Sequence, residues 1–452
     1  MPNFKKLSKT YEKNAILALQ SLIRIESVYD EKTAKKGAPY GEGVKAALDY
    51  VAKLGTDYGW AVDRCDGYCT ELTVGDEGPI IGVFAHSDVV PAAGAWKHPP
   101  FSATLEDGVI YGRGAADDKG PLVAALYAIK LLKDNGFIRG YRVRLVSGGD
   151  EERGSSCLHH YFHEMKKEAP AYGFTPDAEW PLIYGEKAIR RYDLVYEGQL
   201  GPIIAMKGGT VANAVCESVL VTLQKDPGLS AFLKKKGIKA DVTESEGIDI
   251  VSFKGKTAHG STPEKGVNAI AIAFRALGER YEIPGLVKMA EAIASPDGSA
   301  FGGDSKSPEL GAATYNYGVI DYNGKHLSIS LDFRFGETAD PDALIKKLED
   351  FTGLKANLVS DTKPLLFDKE SLLVSTLMKA YKKETHDRHA APFTIGGGTY
   401  AKEAPNCVAF GASWPNHPGD EHSPNEYIYV EDLYKDIAIY ARAIYLLGKL
   451  VA

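Results

Sequence analysis

Cysteine is scarce in this chain: five residues (Cys65, Cys69, Cys157, Cys216 and Cys407) are scattered over 452 positions, with no CxxC pair. That spacing argues against a disulfide framework and against a cysteine-ligated structural zinc, and a reducing, cytoplasmic setting is the expectation. Long apolar runs are also missing, since nothing approaches the roughly 18 to 20 apolar residues of a membrane span. The opening stretch MPNFKKLSKTYEKNAILALQ carries lysines but no unbroken apolar segment and no small-residue cleavage site. Neither a signal peptide nor a membrane partner is expected. Charge of one sign is lacking too: 53 Lys and Arg face 60 Asp and Glu, a net charge of −7. No basic block or stripe appears, and the 4 Trp and 25 Tyr are not interleaved with basic residues. Nucleic acid is therefore not an expected partner. Internal repeats and low-complexity tracts are absent.

What is present reads as an ordinary globular chain, with 44% apolar and 25% charged residues, and with 47 Gly and 23 Pro marking many turns. Ile16, Leu17, Leu19, Leu22, Ile23 and Ile25 fall at helical spacing and predict an opening amphipathic helix. Residues 80–85 (IIGVFA) form a short continuous apolar run, the pattern of a strand buried on both faces, and end directly on His86 and Asp88. A helix follows through LVAALYAIKLL, with Pro121 suited to its first turn and Asn135-Gly136 ending it. A second buried strand spans 141–146 and runs into SGGDEE. Strand, helix, strand in this order predicts a mainly parallel α/β sheet, with polar residues beyond its carboxyl ends.

From about residue 187 the texture changes to hairpins. Strands are expected at 248–254, 312–320 and 327–335, the last two joined by an Asn323-Gly324 turn. In the last strand Leu327, Ile329, Leu331 and Phe333 alternate with Ser328, Ser330, Asp332 and Arg334, which predicts a half-buried sheet. Near residue 367 the α/β texture returns, with an amphipathic segment at 371–382, a glycine loop (Gly396, Gly397, Gly398, Thr399), a short strand and a long helix over 430–450. The expected architecture is α/β: a mainly parallel-sheet domain in two segments, 1–186 and 367–452, interrupted by an inserted α+β domain at 187–366.

Polar clusters end the predicted strands or occupy the loops of the α/β parts: His86-Ser87-Asp88, Asp117-Asp118, Asp150-Glu151-Glu152, Asp177 and His422. Imidazole and carboxylate are the donors that zinc, manganese and cobalt accept, and no thiolate belongs to the set. So many acids at strand ends would repel one another without a cation. The H-x-D spacing also lets Asp88 face the far ring nitrogen of His86 and fix its tautomer. Glu179, two beyond Asp177, and His417, five before His422, are rival ligands. His159, His160 and His163 read as helix residues.

Taken together, HSDVVP (86–91), GRGAADDKGP (112–121), GDEERG (149–154), PDAEWP (176–181), GKTAHGSTPEKGVNAI (255–270) and HSPNE (422–426) resemble the M20 family of metallopeptidases. The PDAEWPLIYGEKA stretch and the large insertion look most like its PepV-type dipeptidase branch. The resemblance implies two divalent ions, zinc foremost with manganese or cobalt as alternatives. It makes Asp117 the bridging carboxylate, His86 and Asp177 the other ligands of one ion, and Glu152 and His422 those of the second. Glu151 becomes the general base, and Asp88, behind His86, is counted with it among the catalytic residues. A cis bond is implied at Asp117-Asp118.

The insertion becomes a lid whose His259 donates to the oxyanion and whose Arg334 pairs with a substrate carboxylate. Asn213, Gly397, Gly398 and Thr399 would contact the substrate. The activity implied is hydrolysis of dipeptides. N-acyl amino acid deacylation, carboxypeptidase action or a non-catalytic binding role remain as alternatives. A lid of about 180 residues can supply every contact within one chain, so a monomer acting on a small peptide is expected.

Overall fold

The structure, a computed structural model, describes residues 2–452. The chain forms two compact units. One holds the chain up to Tyr184 together with Phe367–Phe393 and Gly398–Ala452; the other holds Gly185–Leu366 and Thr394–Gly397.

In chain order the main elements of the first unit are α1 (Glu12–Ile23), α2 (Glu42–Asp57), β1 (Cys69–Val74), β2 (Ile80–His86), α3 (Lys119–Asp134), β3 (Arg142–Gly148) and β4 (Tyr172–Thr175). The second unit supplies β5 (Ala188–Glu197), β6 (Ile203–Gly208), β7 (Ser218–Gln224), β8 (Ala240–Ser245), β9 (Ile248–Lys254), α4 (Ala269–Arg280) and α5 (Pro284–Ile293). It continues with β10 (Thr314–Tyr322), β11 (His326–Phe335), α6 (Pro341–Thr352) and β12 (Lys355–Thr362). The chain then returns with α7 (Leu372–Thr385), β13 (Cys407–Ala409) and α8 (Val430–Val451).

The sheet of the first unit runs β1-β3-β2-β4-β13 over its central strands. β1 is antiparallel to β3, and the other neighbours are parallel. Every residue of β2 is buried, which is why its sequence is an unbroken apolar run rather than an alternation. α3 starts three residues earlier than its apolar pattern, at Lys119. Pro121 sits in its first turn, where a missing N–H costs nothing, and Asn135 caps the end before Gly136 turns into the left-handed region at φ 66°. α8 packs against α3 and α7, placing Ile437, Ile444 and Leu447 in one core with Leu122, Leu126 and Ile129. In α1 the expected apolar face is narrower than its pattern: Leu19, Leu22 and Ile23 are buried, but Leu17 is 52% exposed. Two residues correspond to about 200° of helical rotation, so Leu17 and Leu19 cannot share a face.

The second unit is one antiparallel sheet in the order β8-β9-β7-β6-β10-β11-β5-β12. Its core joins Ile270, Phe274, Leu277 and Leu286 of α4 and α5 to Val219, Val221, Val251 and Phe253. The β10–β11 hairpin pairs Tyr322 with Leu327 across the Asn323-Gly324 turn, where Gly324 takes φ 93°. Along β11 the alternation holds only as far as Ser330. Beyond it Asp332 and Arg334 are buried as well, because Arg334 Nε and Nη2 donate to the two Asp332 carboxylate oxygens at 2.7 and 3.1 Å. A paired charge can be buried where a lone one cannot.

Residues 394–397 differ from the expected boundary, since they pack with the second unit rather than with the flanking 367–452 segment. The reason is three hydrogen bonds: Lys187 N to Ile395 O, Arg334 Nη1 to Gly396 O and Thr394 Oγ1 to Glu309 O. All five cysteines are free and buried. Among the described residues no helix is long and apolar enough to cross a membrane.

The burial pattern predicts that Leu126→Ala, in the core of the first unit, lowers unfolding free energy by about 2–5 kcal/mol. Leu17→Ala should change it by no more than about 0.5 kcal/mol. Denaturant titration of the two variants checks this, and equal losses would contradict the assignment of the α1 face.

Candidate active site

The polar clusters assemble in the first unit because its parallel strands end side by side. His86 is the last residue of β2, Glu151 and Glu152 follow β3, Asp177 follows β4, and Asp117 lies just before α3. His422 comes from the loop between β13 and α8, where it takes a left-handed φ of 60°. Gly148, which ends β3, is required by space: a Cβ there would lie 2.0 Å from the Tyr400 hydroxyl.

Asp117 stands between the two histidines. Its Oδ1 is 2.9 Å from His86 Nε2 and its Oδ2 is 2.9 Å from His422 Nε2. Asp177 Oδ2 is 3.7 Å from His86 Nε2, and Glu152 Oε2 is 3.0 Å from His422 Nε2. One atom each from His86, Asp117 and Glu152 lie within 4.8 Å of one another, as do atoms of His86, Glu151 and Asp177. Glu151 differs from its neighbour: among the described residues its carboxylate has no hydrogen-bond partner, whereas Glu152 is held on His422. The Asp117-Asp118 bond is cis.

Asp88 acts differently from the H-x-D expectation. His86 Nδ1 donates to the Asp88 main-chain carbonyl at 3.0 Å, and the carboxylate is farther, at 3.4 Å. That carbonyl leaves Nε2 as the free nitrogen, so the tautomer is still fixed. The carboxylate instead accepts the amides of Glu151 and Glu152, one on each oxygen, both at 3.2 Å. Two residues have roles that the sequence pattern did not reveal. Asp118 Oδ2 accepts the His86 amide at 3.0 Å, and Glu426, buried at the end of HSPNE, accepts the Asp117 amide at 3.1 Å. For Glu426 the available signal was its fixed offset, four residues beyond His422.

Electrostatically the cluster is short of cations. Burial, and then repulsion from Asp117 and Glu151, pushes the Asp177 carboxyl up. Burial also raises Glu151, with Glu152, Asp117 and Asp88 acting in the same direction and only His86 opposing them. Glu152 is raised by burial and Asp117 against the pull of His422 and His86. For Asp117 burial acts upward, but hydrogen bonds from His422 and His86 prevail and hold it below the carboxylate range. His422 is in turn pushed up to about 11, first by its hydrogen bond to Asp117 and then by Glu152. The imidazoles thus take the cationic role that four crowded carboxylates demand. This set of two imidazoles and four carboxylates, without thiolate, fits two borderline divalent ions.

The second unit gathers a separate group. Gly260 N donates to Asn213 O at 2.6 Å, Ala214 bridges to His259, and His259 Nδ1 is 2.7 Å from Ser261 Oγ. Ser261 lies against Gly396, whose carbonyl accepts from Arg334 at 2.7 Å. Asn213, His259, Gly396 and Arg334 therefore form one connected patch, with Gly397 next to it. Gly398 and Thr399 belong to the first unit, where the Thr399 hydroxyl caps the turn 400–402 by accepting from Ala401 N at 3.2 Å.

The rival ligands stand apart. Glu179 is exposed and pairs with Ser413 only through a backbone bridge. His417 sits with Glu431 and Asp432, where Lys435 already supplies the cation at 2.8 Å from Asp432. His160 is buried between Asp66 and Glu164 and stacks on Tyr68, while His159 and His163 are exposed.

Residues 82–446 match the model of peptidase family M20/M25/M40. The chain is 34% identical over 453 residues to "Putative dipeptidase YtjP" of Bacillus subtilis, covering 95% of this chain and 96% of that protein. A Staphylococcus aureus protein named "Putative dipeptidase SAUSA300_1697" is 32% identical, covering 98% of each. Among solved structures, the di-peptidase Dug1p of Saccharomyces cerevisiae superposes with a TM-score of 0.61 at 13% identity, covering 99% of this chain and 98% of its own. The M20 family metallo-carboxypeptidase Sso-CP2 of Sulfolobus solfataricus superposes with 0.60 at 20%, covering 96% and 99%. The fold is shared with these structures, and by family match and sequence identity the chain belongs to peptidase family M20/M25/M40.

Proposed function

We propose that this peptidase hydrolyses dipeptides in the cytoplasm as a monomer, using two divalent ions, zinc foremost, held by His86, Asp117 and Asp177 on one side and Glu152, His422 and Asp117 on the other. The observation that carries the reading is Asp117, each of whose oxygens faces a different imidazole at 2.9 Å. When bound, the ions supply a water of low pKa and polarise the peptide carbonyl. Glu151 takes the proton of the attacking water and passes it to the leaving amine. Among the described residues its carboxylate has no hydrogen-bond partner, while Asp88 fixes its backbone. In this reading Asp177 and Glu152 hold charge, and only Glu151 moves a proton.

The patch of the second unit is assigned to the substrate. His259 donates a hydrogen bond to the oxyanion, with Asn213 assisting. Arg334 binds the free carboxylate: three of its five N–H donors are spent on Asp332 and Gly396, which fixes the plane of the fork and leaves two for the peptide. Gly397, Gly398 and Thr399 line the path of the substrate backbone. The named relatives support a dipeptide substrate through the word dipeptidase in their descriptions.

Three outcomes are expected. Chelation should abolish hydrolysis and zinc, manganese or cobalt should restore it, with dipeptides turned over well above tripeptides and acetylated amino acids in a substrate panel. Preference for acetylated amino acids would replace the dipeptidase reading by a deacylase one. Glu151→Gln should lower kcat by about 10²–10⁴-fold while bound metal, measured by atomic emission, stays at the wild-type level. Near-normal turnover would remove Glu151 from its role. Arg334→Met should raise KM by about 10–100-fold, the loss of a charged hydrogen-bond pair worth about 1.5–3 kcal/mol. Dipeptide amides, which lack the carboxylate, should be indifferent to the change.

A further inference from the structure

Three ligand-bearing segments of the centre share one device: a buried carboxylate receives the backbone N–H of the ligand residue. Asp118 receives that of His86, Asp88 those of Glu151 and Glu152, and Glu426 that of Asp117. The last is the most extensive. Glu426 Oε2 accepts from Arg113 Nη1 at 2.7 Å and Gly114 N at 3.0 Å, while Oε1 accepts from Ala116 N at 2.9 Å and Asp117 N at 3.1 Å. Its own main-chain carbonyl accepts from Gly112 N at 2.9 Å. The segment 112–117 is thus wrapped around one side chain that is itself 0% exposed.

Glu426 also stands at the base of the loop that carries His422. That loop is closed by Tyr427 N to Gly419 O at 2.9 Å and Ser423 N to Asp420 O at 3.0 Å. We propose that Glu426 is a positioning residue of the metal centre: it locks the loop bearing Asp117 to the loop bearing His422 and thereby determines how tightly the centre holds its ions. It touches neither substrate nor ion and acts through the backbone of Asp117.

The chemistry of the side chain fits this role closely. Four donors converge on two oxygens, a demand that only a carboxylate meets. Glutamine would offer one oxygen, and its NH₂ would point at two donors, so two bonds would be lost and a donor set against donors. Aspartate would keep the charge but fall one methylene short of the amides. The single guanidinium of Arg113, 2% exposed, balances the buried charge and lies over the Trp96 ring at 5.2 Å. Because a carboxylate–amide bond is charge-assisted, the clamp resists the displacement of Asp117 that charge repulsion within the centre would otherwise drive.

The inference rests on Asp117 and His422 being ligands, and the test separates the two claims because it needs no peptide. Purified full-length wild type, Glu426→Gln and Glu426→Asp are stripped of metal and titrated with Zn²⁺ against a chelating indicator, and the absorption of their Co²⁺ forms is recorded. Both variants are expected to bind Zn²⁺ about 10–100-fold more weakly and to show altered Co²⁺ bands, while the circular dichroism of the metal-free chains remains that of the wild type. A folded variant with wild-type affinity and an unchanged Co²⁺ spectrum overturns the proposal. If Glu426→Gln does not fold, Glu426→Asp decides by the same readings. If neither folds, Glu426 serves folding and not the centre, and the proposal falls. Wild type that binds no Zn²⁺ would instead remove the ligand assignment beneath it.

Discussion

Four carboxylates gathered in two pairs about the buried imidazole of His86 are the constraint on which the rest of the first unit depends. Glu151, Glu152 and Asp177 are driven toward protonation by burial and by neighbouring acids, whereas the two imidazoles hold Asp117 below the carboxylate range. Such an arrangement persists only if each backbone carrying an acid is fixed independently of the charge it holds. The parallel sheet does the first part of that work by ending β2, β3 and β4 side by side, at the end of an α/β sheet where sites form. Buried acceptors do the second part, through the amides of His86, Asp117, Glu151 and Glu152.

The acids around the centre therefore divide into those grouped at the proposed ion sites and those whose oxygens face backbone. Neighbours in sequence can fall on opposite sides of the division: Asp117 and Asp118 carry the same functional group to different ends. Arg334 and Asp332 show the same economy in the second unit. A buried acid there does not bind substrate but holds a guanidinium plane in place, and the pair shields itself against the cost of burial.

Much of this was legible in the residues. Periodicity located β2, α3, the β10–β11 hairpin and α8, because burial on one or both faces leaves a direct imprint on the alternation of apolar side chains. The ligand candidates were legible because residue type and order carry the chemistry. Less visible were features decided by helix geometry or by tertiary contacts. Leu17 looked like core until helical rotation placed it in solvent, and Asp332 and Arg334 looked like a wetted face until they paired. The Asp88 carboxylate was expected on the imidazole of His86 but lies on two amides, since no sequence pattern says which donors will be nearest. Glu426 was read only as the last letter of a motif. Four of the donors it satisfies are 309 to 313 positions away, a distance over which sequence offers no period to follow. The excursion of 394–397 into the second unit was hidden for the same reason.

The order of the segments has a consequence for synthesis. His86, Asp117, Glu151, Glu152 and Asp177 all precede the second unit, whereas His422 and Glu426 follow it. A nascent chain on the ribosome thus carries its crowd of acids through the making of the whole intervening unit before the imidazole and the clamp that order them exist. During that interval the half-finished sheet lacks β13, and α3 lacks the partner face of α8. Contacts so distant in sequence form slowly and leave apolar surface uncovered meanwhile. The inserted unit, whose contacts are mostly its own, can fold first, so the centre cannot be complete until residues 422 and 426 have been made, however early its other acids appear.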